Sequence, residues 1–81
     1  MRDYATIRAL RQGNIVDFCG IKLKMDDGDL QSGDLYIAER NTEPKLLTVK
    51  HVDNENFCVH ATTLGDYSFN IDECVKVKEA E

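Results

Sequence analysis

The fold is decided by four short apolar-rich runs: GDLYIAER at residues 33–40, PKLLTVKHV at 44–52, FCVHAT at 57–62 and YSFNIDECVKV at 67–77. Polar or glycine-containing stretches separate these runs, and this pattern is typical of antiparallel strands joined by turns. Within the last run, residues 71–73 predict one tight helical turn before a closing strand. Together the runs predict a small antiparallel sheet that curls on itself.

A short helix is predicted ahead of this sheet, over residues 3–12. Ile7 and Leu10 lie three positions apart and would share one face, which must dock on the rest of the protein for so short a helix to persist. Either Asp3 or Thr6 is placed to accept hydrogen bonds from the first free amides of the helix. The helix is therefore predicted to be a docked, amphipathic N-terminal element.

A hairpin is predicted next, over residues 14–25, after Gly13 has ended the helix. Its second arm alternates apolar residues with two lysines, which is the period of a half-buried strand. Gly20 supplies the positive φ that a tight reversal needs. The chain is thus expected to be a single domain, with a helical segment at residues 1–13, a barrel at 14–78 and a tail at 79–81.

Composition places the chain among soluble globular proteins with one modest core. Hydrophobic residues make up 42% and charged residues 31%, which is too apolar for a disordered chain. No run approaches the roughly 18 apolar residues of a membrane span, and no signal peptide is recognisable. Three cysteines without a close pair exclude a disulfide-stapled secreted scaffold. We expect a cytoplasmic location.

The charge is unevenly distributed around a net value of −5. Residues 1–13 hold three arginines and one acid, whereas the remaining 68 residues hold seven bases and fourteen acids. Binding to nucleic acid needs a clustered basic surface, so this balance argues against nucleic acid as the main ligand. It favours a protein partner that carries a basic face.

The order of these parts resembles that of SH3-like small barrels. From Gly33 onward, GDLYI, PKLLTVKHV and YSFNIDECVKV are similar to small bacterial and phage-borne proteins of the YodC- and YopX-like kind, and RQGNIV at residues 11–16 resembles the start of such phage proteins. The resemblance implies a small antiparallel SH3-like barrel and an origin in a mobile element. It implies no catalytic residues. In that setting the chain would act in the cytoplasm of the host cell.

The acidic loop at residues 26–33 invites comparison with a calcium-binding loop. Counting from Asp27, the sixth position is Ser32 instead of glycine and the twelfth is Ala38 instead of glutamate. The flanking segments also predict strands, where a calcium loop of this kind needs helices. A solvated turn is therefore the favoured interpretation of the loop.

Cysteines and histidines give no recognisable metal or nucleophile motif. Cys58 and His60 share a strand face, and His51 and Cys74 would approach each other in a barrel. None of them has the close spacing of a zinc ligand pair, and burial of Cys58 is the simpler interpretation. Glycine-rich phosphate loops are also missing from the sequence. We predict no catalytic residues, no metal and no cofactor.

Two function classes stay open. The first is a non-enzymatic protein-interaction module, derived from a phage or prophage, that acts on a host protein as an anti-defence inhibitor or acidic DNA mimic. The second is a small nucleic-acid-binding regulator that uses the basic N-terminal helix. Tyr36, Tyr67 and Phe69 with nearby lysines would make an aromatic platform for stacking bases, but core packing in so small a barrel is the favoured interpretation of most of these aromatics. For the first class, the predicted partner-binding residues are Asp26, Asp27, Asp29, Asp34, Tyr36, Asp66, Tyr67, Asp72 and Glu73.

Overall fold

A computed structural model describes residues 4–40, 43–62 and 68–80, and within them it contains one helix, seven strands and one 3₁₀ turn. The elements are α1 (Ala5–Arg11), β1 (Val16–Phe18), β2 (Ile21–Met25), β3 (Leu35–Arg40), β4 (Glu43–Asp53), β5 (Cys58–Ala61), β6 (Ser68–Asn70), the 3₁₀ turn (Ile71–Glu73) and β7 (Cys74–Glu79). The predicted mainly β fold with a short N-terminal helix is confirmed.

All strand pairs are antiparallel, and the sheet order is β1-β2-β7-β3-β4-β5-β6. The last strand therefore lies between β2 and β3, where it joins the N-terminal hairpin to the β3–β4–β5–β6 meander. Because β1 and β6 are the two edges, the curled sheet forms a half-barrel. This order brings the loop before β3 and the 3₁₀ turn before β7 to the same region of the sheet.

The described residues form two hydrophobic clusters, where the composition predicted one core. Strand β3 is buried on both faces: Tyr36 and Ala38 face a cluster inside the curl, whereas Ile37 faces a second cluster that α1 covers. Ile7 and Leu10 are both buried in the second cluster, as their spacing predicted. The single-core prediction was wrong because docking of the helix adds a layer to the outer side of the sheet.

The start of α1 is held by a side chain from the sheet. Glu39 is buried on β3, and its carboxylate accepts hydrogen bonds from the amides of Thr6 (3.4 Å) and Ile7 (3.1 Å). A carboxylate at a helix N-terminus complements both the free amides and the helix dipole. The predicted cap is corrected accordingly: Thr6 lies inside the helix, and Asp3 lies outside the described residues.

The hairpin and the meander follow the sequence closely, with differences at the starts of β4 and β5. Cys19 and Gly20 have φ values of 53° and 85°, as a two-residue reversal between β1 and β2 requires. Strand β4, however, begins at Glu43, and Pro44 pairs with Glu39 instead of lying in a turn. Among the described residues, β5 pairs only with the later part of β4, and a missing amide is tolerated where a strand has no neighbour on that side.

Candidate protein-interaction surface

The acidic loop between β2 and β3 is partly neutralised by lysines of β7. Lys76 lies 3.9 Å from a carboxylate oxygen of Asp26 and 3.5 Å from one of Asp34, and Lys78 lies 3.8 Å from Asp26. Asp34 also accepts a hydrogen bond of 2.8 Å from the amide of Gln31. These two aspartates therefore shape the loop, and little of their charge is left for a partner.

Asp27 and Asp29 of the same loop are not neutralised by the lysines of β7. Both are exposed, and neither forms an ion pair with any residue that the structure describes. The loop that carries them lines an open groove of about 580 Å³, together with Asn54 of the β4–β5 turn and Ile71 of the 3₁₀ turn. These two carboxylates are the part of the loop that is available to a cationic partner.

Phe57, at the end of the β4–β5 turn, is the most exposed large hydrophobic side chain among the described residues. Its side chain is 65% exposed, and its backbone is left-handed, with a φ of 54°. The run at residues 57–62 predicts a strand in which Phe57 aligns with Val59 and Ala61. That prediction was wrong for Phe57, because β5 begins only at Cys58, whereas Val59 and Ala61 are buried as predicted.

The cause of this exposure lies in Asp53, which fixes the turn from its first position. Its carboxylate accepts hydrogen bonds from the side-chain amide of Asn56 (2.8 Å) and from the backbone amides of Asn56 (3.2 Å) and Glu55 (3.1 Å). The side-chain bond from Asn56, followed by its backbone bond, lowers the pKa of Asp53. This Asx-type geometry holds the turn and leaves Phe57 directed to solvent.

A second groove, of about 600 Å³, is lined by Phe57, Asp72 and Tyr4 among others, and it shares Ile71 with the first groove. The acidic loop, the β4–β5 turn and the 3₁₀ turn therefore meet around Ile71. Exposed side chains in this region include the ring of Phe57, the carboxylates of Asp27, Asp29 and Asp72, and the guanidinium of Arg11, and Glu55 is exposed in the adjoining β4–β5 turn. We call this surface the acidic end and define it as Asp27, Asp29, Glu55, Phe57 and Asp72.

No protein-family model, curated protein or solved structure matches this chain. Among the residues that the structure describes, no helix is long and apolar enough to cross a membrane.

Two of the predicted partner-binding residues are buried, and two others are not described by the structure. Tyr36 is 0% exposed and Glu73 is 2% exposed, so neither side chain is accessible to a partner. Asp66 and Tyr67 lie outside the described residues. Phe69 is also buried, with the guanidinium of Arg40 over its ring, so the predicted aromatic platform for stacking bases is not formed by Tyr36 and Phe69.

Glu73 has a structural role that the sequence prediction missed. Its carboxylate accepts hydrogen bonds from Arg40 (3.1 Å), the amide of Asn70 (3.2 Å) and the hydroxyl of Tyr4 (3.4 Å). Arg40 also donates to the carbonyl of Ser68 at 3.1 Å. The backbone of edge strand β6 is thus occupied by side chains, which disfavours strand addition there.

The cysteines and histidines that the sequence placed near each other have other partners in the structure. The thiol of Cys58 donates to the carbonyl of Asn56 at 3.2 Å, while the ring of His60 stacks on that of His51. Cys74 lies in the buried cluster inside the curl, where burial raises the pKa of its thiol to about 12. None of these groups forms a nucleophile–base pair that the described contacts support.

Tyr36→Phe is expected to raise the free energy of unfolding by about 1 kcal/mol at pH 7. The Tyr36 hydroxyl is buried and has no hydrogen-bond partner among the described residues, so its removal relieves an unsatisfied polar group. Burial, and then the nearby Cys74, raise the pKa of Tyr36 to about 12, above its ordinary value of 10.0. The folded state therefore holds this proton more tightly, and the stability linked to it is present below pH 10 and lost between pH 10 and 12.

Urea unfolding of the wild type and Tyr36→Phe across pH 7–12 measures both effects. The variant should lose less stability than the wild type between pH 10 and 12, because it lacks the ionisation of Tyr36. The ionisation of Cys74 is common to both proteins and does not contribute to the difference. A variant less stable than the wild type at pH 7 would show that the hydroxyl is satisfied.

Proposed function

We propose that the protein is a non-enzymatic interaction module that binds a basic surface of another protein through the acidic end. The observation that carries the proposal is Phe57, which is exposed in a left-handed conformation and lines the same groove as Asp72. An exposed aromatic ring in a backbone region costly for a bulky residue is poorly explained by packing. It is well explained by contact with a partner.

The chemistry of the acidic end suits such a contact. Aromatic side chains supply much of the binding energy at protein interfaces, and they do so when a partner pocket buries them fully. The surrounding carboxylates would steer a basic partner and set its orientation. With a net charge of −5, the rest of the chain adds to this steering.

The partner is proposed to be a host protein, since the sequence resemblance implies a mobile-element origin. An anti-defence inhibitor is one form of this proposal, and acidic DNA mimicry is a sharper form. Phe57 favours a directed protein contact over pure mimicry, because an apolar ring has no counterpart in a phosphate backbone. The partner should therefore offer an apolar pocket with lysine or arginine residues at its rim.

Photo-crosslinking tests the proposed surface without removing Phe57. A benzophenone amino acid at Glu55, beside the ring, should give a discrete protein adduct in a lysate of the natural host. The same probe at Ile15, which is 56% exposed before β1, is the control and should not. Phe57→Ala in the Glu55-labelled protein should abolish the adduct. An adduct that survives Phe57→Ala, or forms equally from position 15, would contradict the proposal.

The alternative function, nucleic-acid binding through α1, has one observation in its favour. Arg8 and Arg11 are exposed in the last turn of the helix. The guanidinium of Arg11, however, donates to the carbonyl of Asp72 at 2.9 Å, so it lies against the acidic end. Nuclease treatment of the lysate before crosslinking separates the two functions: the adduct at position 55 should persist, whereas its loss would favour the alternative.

A further inference from the structure

A bulge in β4 brings two histidines together on the outer side of the sheet. Val49 pairs with Ala61, but His51 pairs with His60, so Lys50 is an extra residue in the ladder. In a regular ladder without the bulge, Lys50 would oppose His60 and His51 would oppose Val59. β-Bulges often re-aim side chains at functional positions, and here the bulge places both imidazoles opposite each other.

The two rings form a stack at the protein surface. Their centroids are 4.3 Å apart and their planes differ by 12°. His51 is exposed and His60 is half-buried, so solvent reaches the pair. Neither imidazole has a hydrogen bond to another described residue, which leaves ring nitrogens of both available.

We propose that His51 and His60 form a surface site for a divalent transition metal ion of the kind that imidazole prefers, such as Zn²⁺ or Ni²⁺. Two nitrogens bound to one Zn²⁺ at about 2.0–2.1 Å with tetrahedral angles lie roughly 3.3 Å apart. The lone pairs of stacked imidazoles lie in the ring planes and do not converge, so binding requires the exposed His51 ring to rotate out of the stack until a nitrogen of each ring faces the ion. Water fills the remaining positions, because no described group of three or more His, Cys, Asp or Glu residues could hold a metal.

The surroundings favour a cation over an anion at this place. The negative charge of Asp53, two positions beyond His51 on β4, interacts with His60. On the other side of His60 lies Ser68 of β6, an uncharged neighbour in register. A bound divalent ion would thus meet the carboxylate of Asp53 and would link β4 to β5, with the exposed Lys50 of the bulge as the neighbouring cation in the chain.

Calorimetric titration with Zn²⁺ and with Ni²⁺ tests the site in the full chain. Cys19→Gly serves as the background, because it removes the exposed thiol of the β1–β2 turn. His51→Phe and His60→Phe each keep an aromatic ring in the stack and remove the ligand nitrogens. Ser68→Ala is the matched control, since it changes the residue opposite His60 and keeps both imidazoles.

The expected result is saturable binding of one ion, weakened by roughly tenfold or more in each phenylalanine variant and unchanged in Ser68→Ala. Imidazole ¹⁵N resonances of both histidines should shift together during the titration. Absence of saturable binding up to millimolar metal would overturn the proposal. So would binding that either phenylalanine variant retains, because that ion would be held elsewhere.

Discussion

Glu73→Leu is expected to lower the free energy of unfolding by about 3 kcal/mol. The leucine fills similar space but removes the acceptor for the amide of Asn70 and for the guanidinium of Arg40. A buried polar group left without its partner costs roughly 1–3 kcal/mol, and loss of the charged hydrogen bond adds to this. Arg40 is 45% exposed in its side chain and can turn to water, which limits the loss.

Urea unfolding followed by circular dichroism measures this difference, with two variants for comparison. Asp72→Ala changes the neighbouring carboxylate of the same 3₁₀ turn, but that side chain is exposed, so we expect a change within about 0.5 kcal/mol. Glu73→Gln keeps an acceptor oxygen and should fall between the two. Equal effects of Glu73→Leu and Asp72→Ala would mean that the buried network contributes nothing measurable.

Local sequence signals predicted the elements of this fold well. Gly20 marked the turn of the first hairpin, and the spacing of Ile7 and Leu10 marked the buried face of the helix. These features depend on contacts within a few residues, so turn chemistry and periodicity suffice to find them. The same holds for the 3₁₀ turn, where Asn70-x-x-Glu73 also has the form of a capping box, a signal that would have identified Glu73 as structural.

Features that depend on distant contacts were not predictable from one sequence. The amides at the start of α1 are capped by Glu39, which is more than thirty positions away. Burial of Tyr36 follows from β3 having both faces covered, which alternation in a single strand cannot show. Lys50 carries no local sign of a bulge, so the pairing of His51 with His60 could not be foreseen.

Part of the predicted partner surface could still be found from charge alone. Asp27, Asp29 and Asp72 were predicted, and they lie around the two grooves that meet at Ile71. Phe57 was predicted to align with Val59 and Ala61 in one strand, because the alternation of residues 57–62 fits a strand. Instead, the hydrogen bonds that Asp53 accepts from Asn56 hold the turn in a geometry that leaves Phe57 exposed at the acidic end.

Phe57→Gly is expected to weaken partner binding by about 30-fold or more while leaving the protein at least as stable as the wild type. Removal of an aromatic anchor costs about 2 kcal/mol or more at an interface, and each 1.4 kcal/mol is a factor of ten. Glycine adopts a φ of 54° freely and relieves about 1–2 kcal/mol of left-handed strain. The greater freedom of glycine in the unfolded chain offsets about 0.5–1 kcal/mol of that gain.

Cys19→Gly is the matched control, because Cys19 is exposed and has nearly the same φ, 53°, in the β1–β2 turn. It should give a similar gain in the free energy of unfolding and leave partner binding unchanged. Crosslinking yield from position 55 and thermal unfolding, measured on the same samples, report the two quantities. If Phe57→Gly keeps its thermal stability but loses the crosslink to the partner, the strained phenylalanine is a binding residue. If Phe57→Gly instead unfolds the chain, or binds as well as the wild type, the ring belongs to the fold and the acidic end loses its anchor.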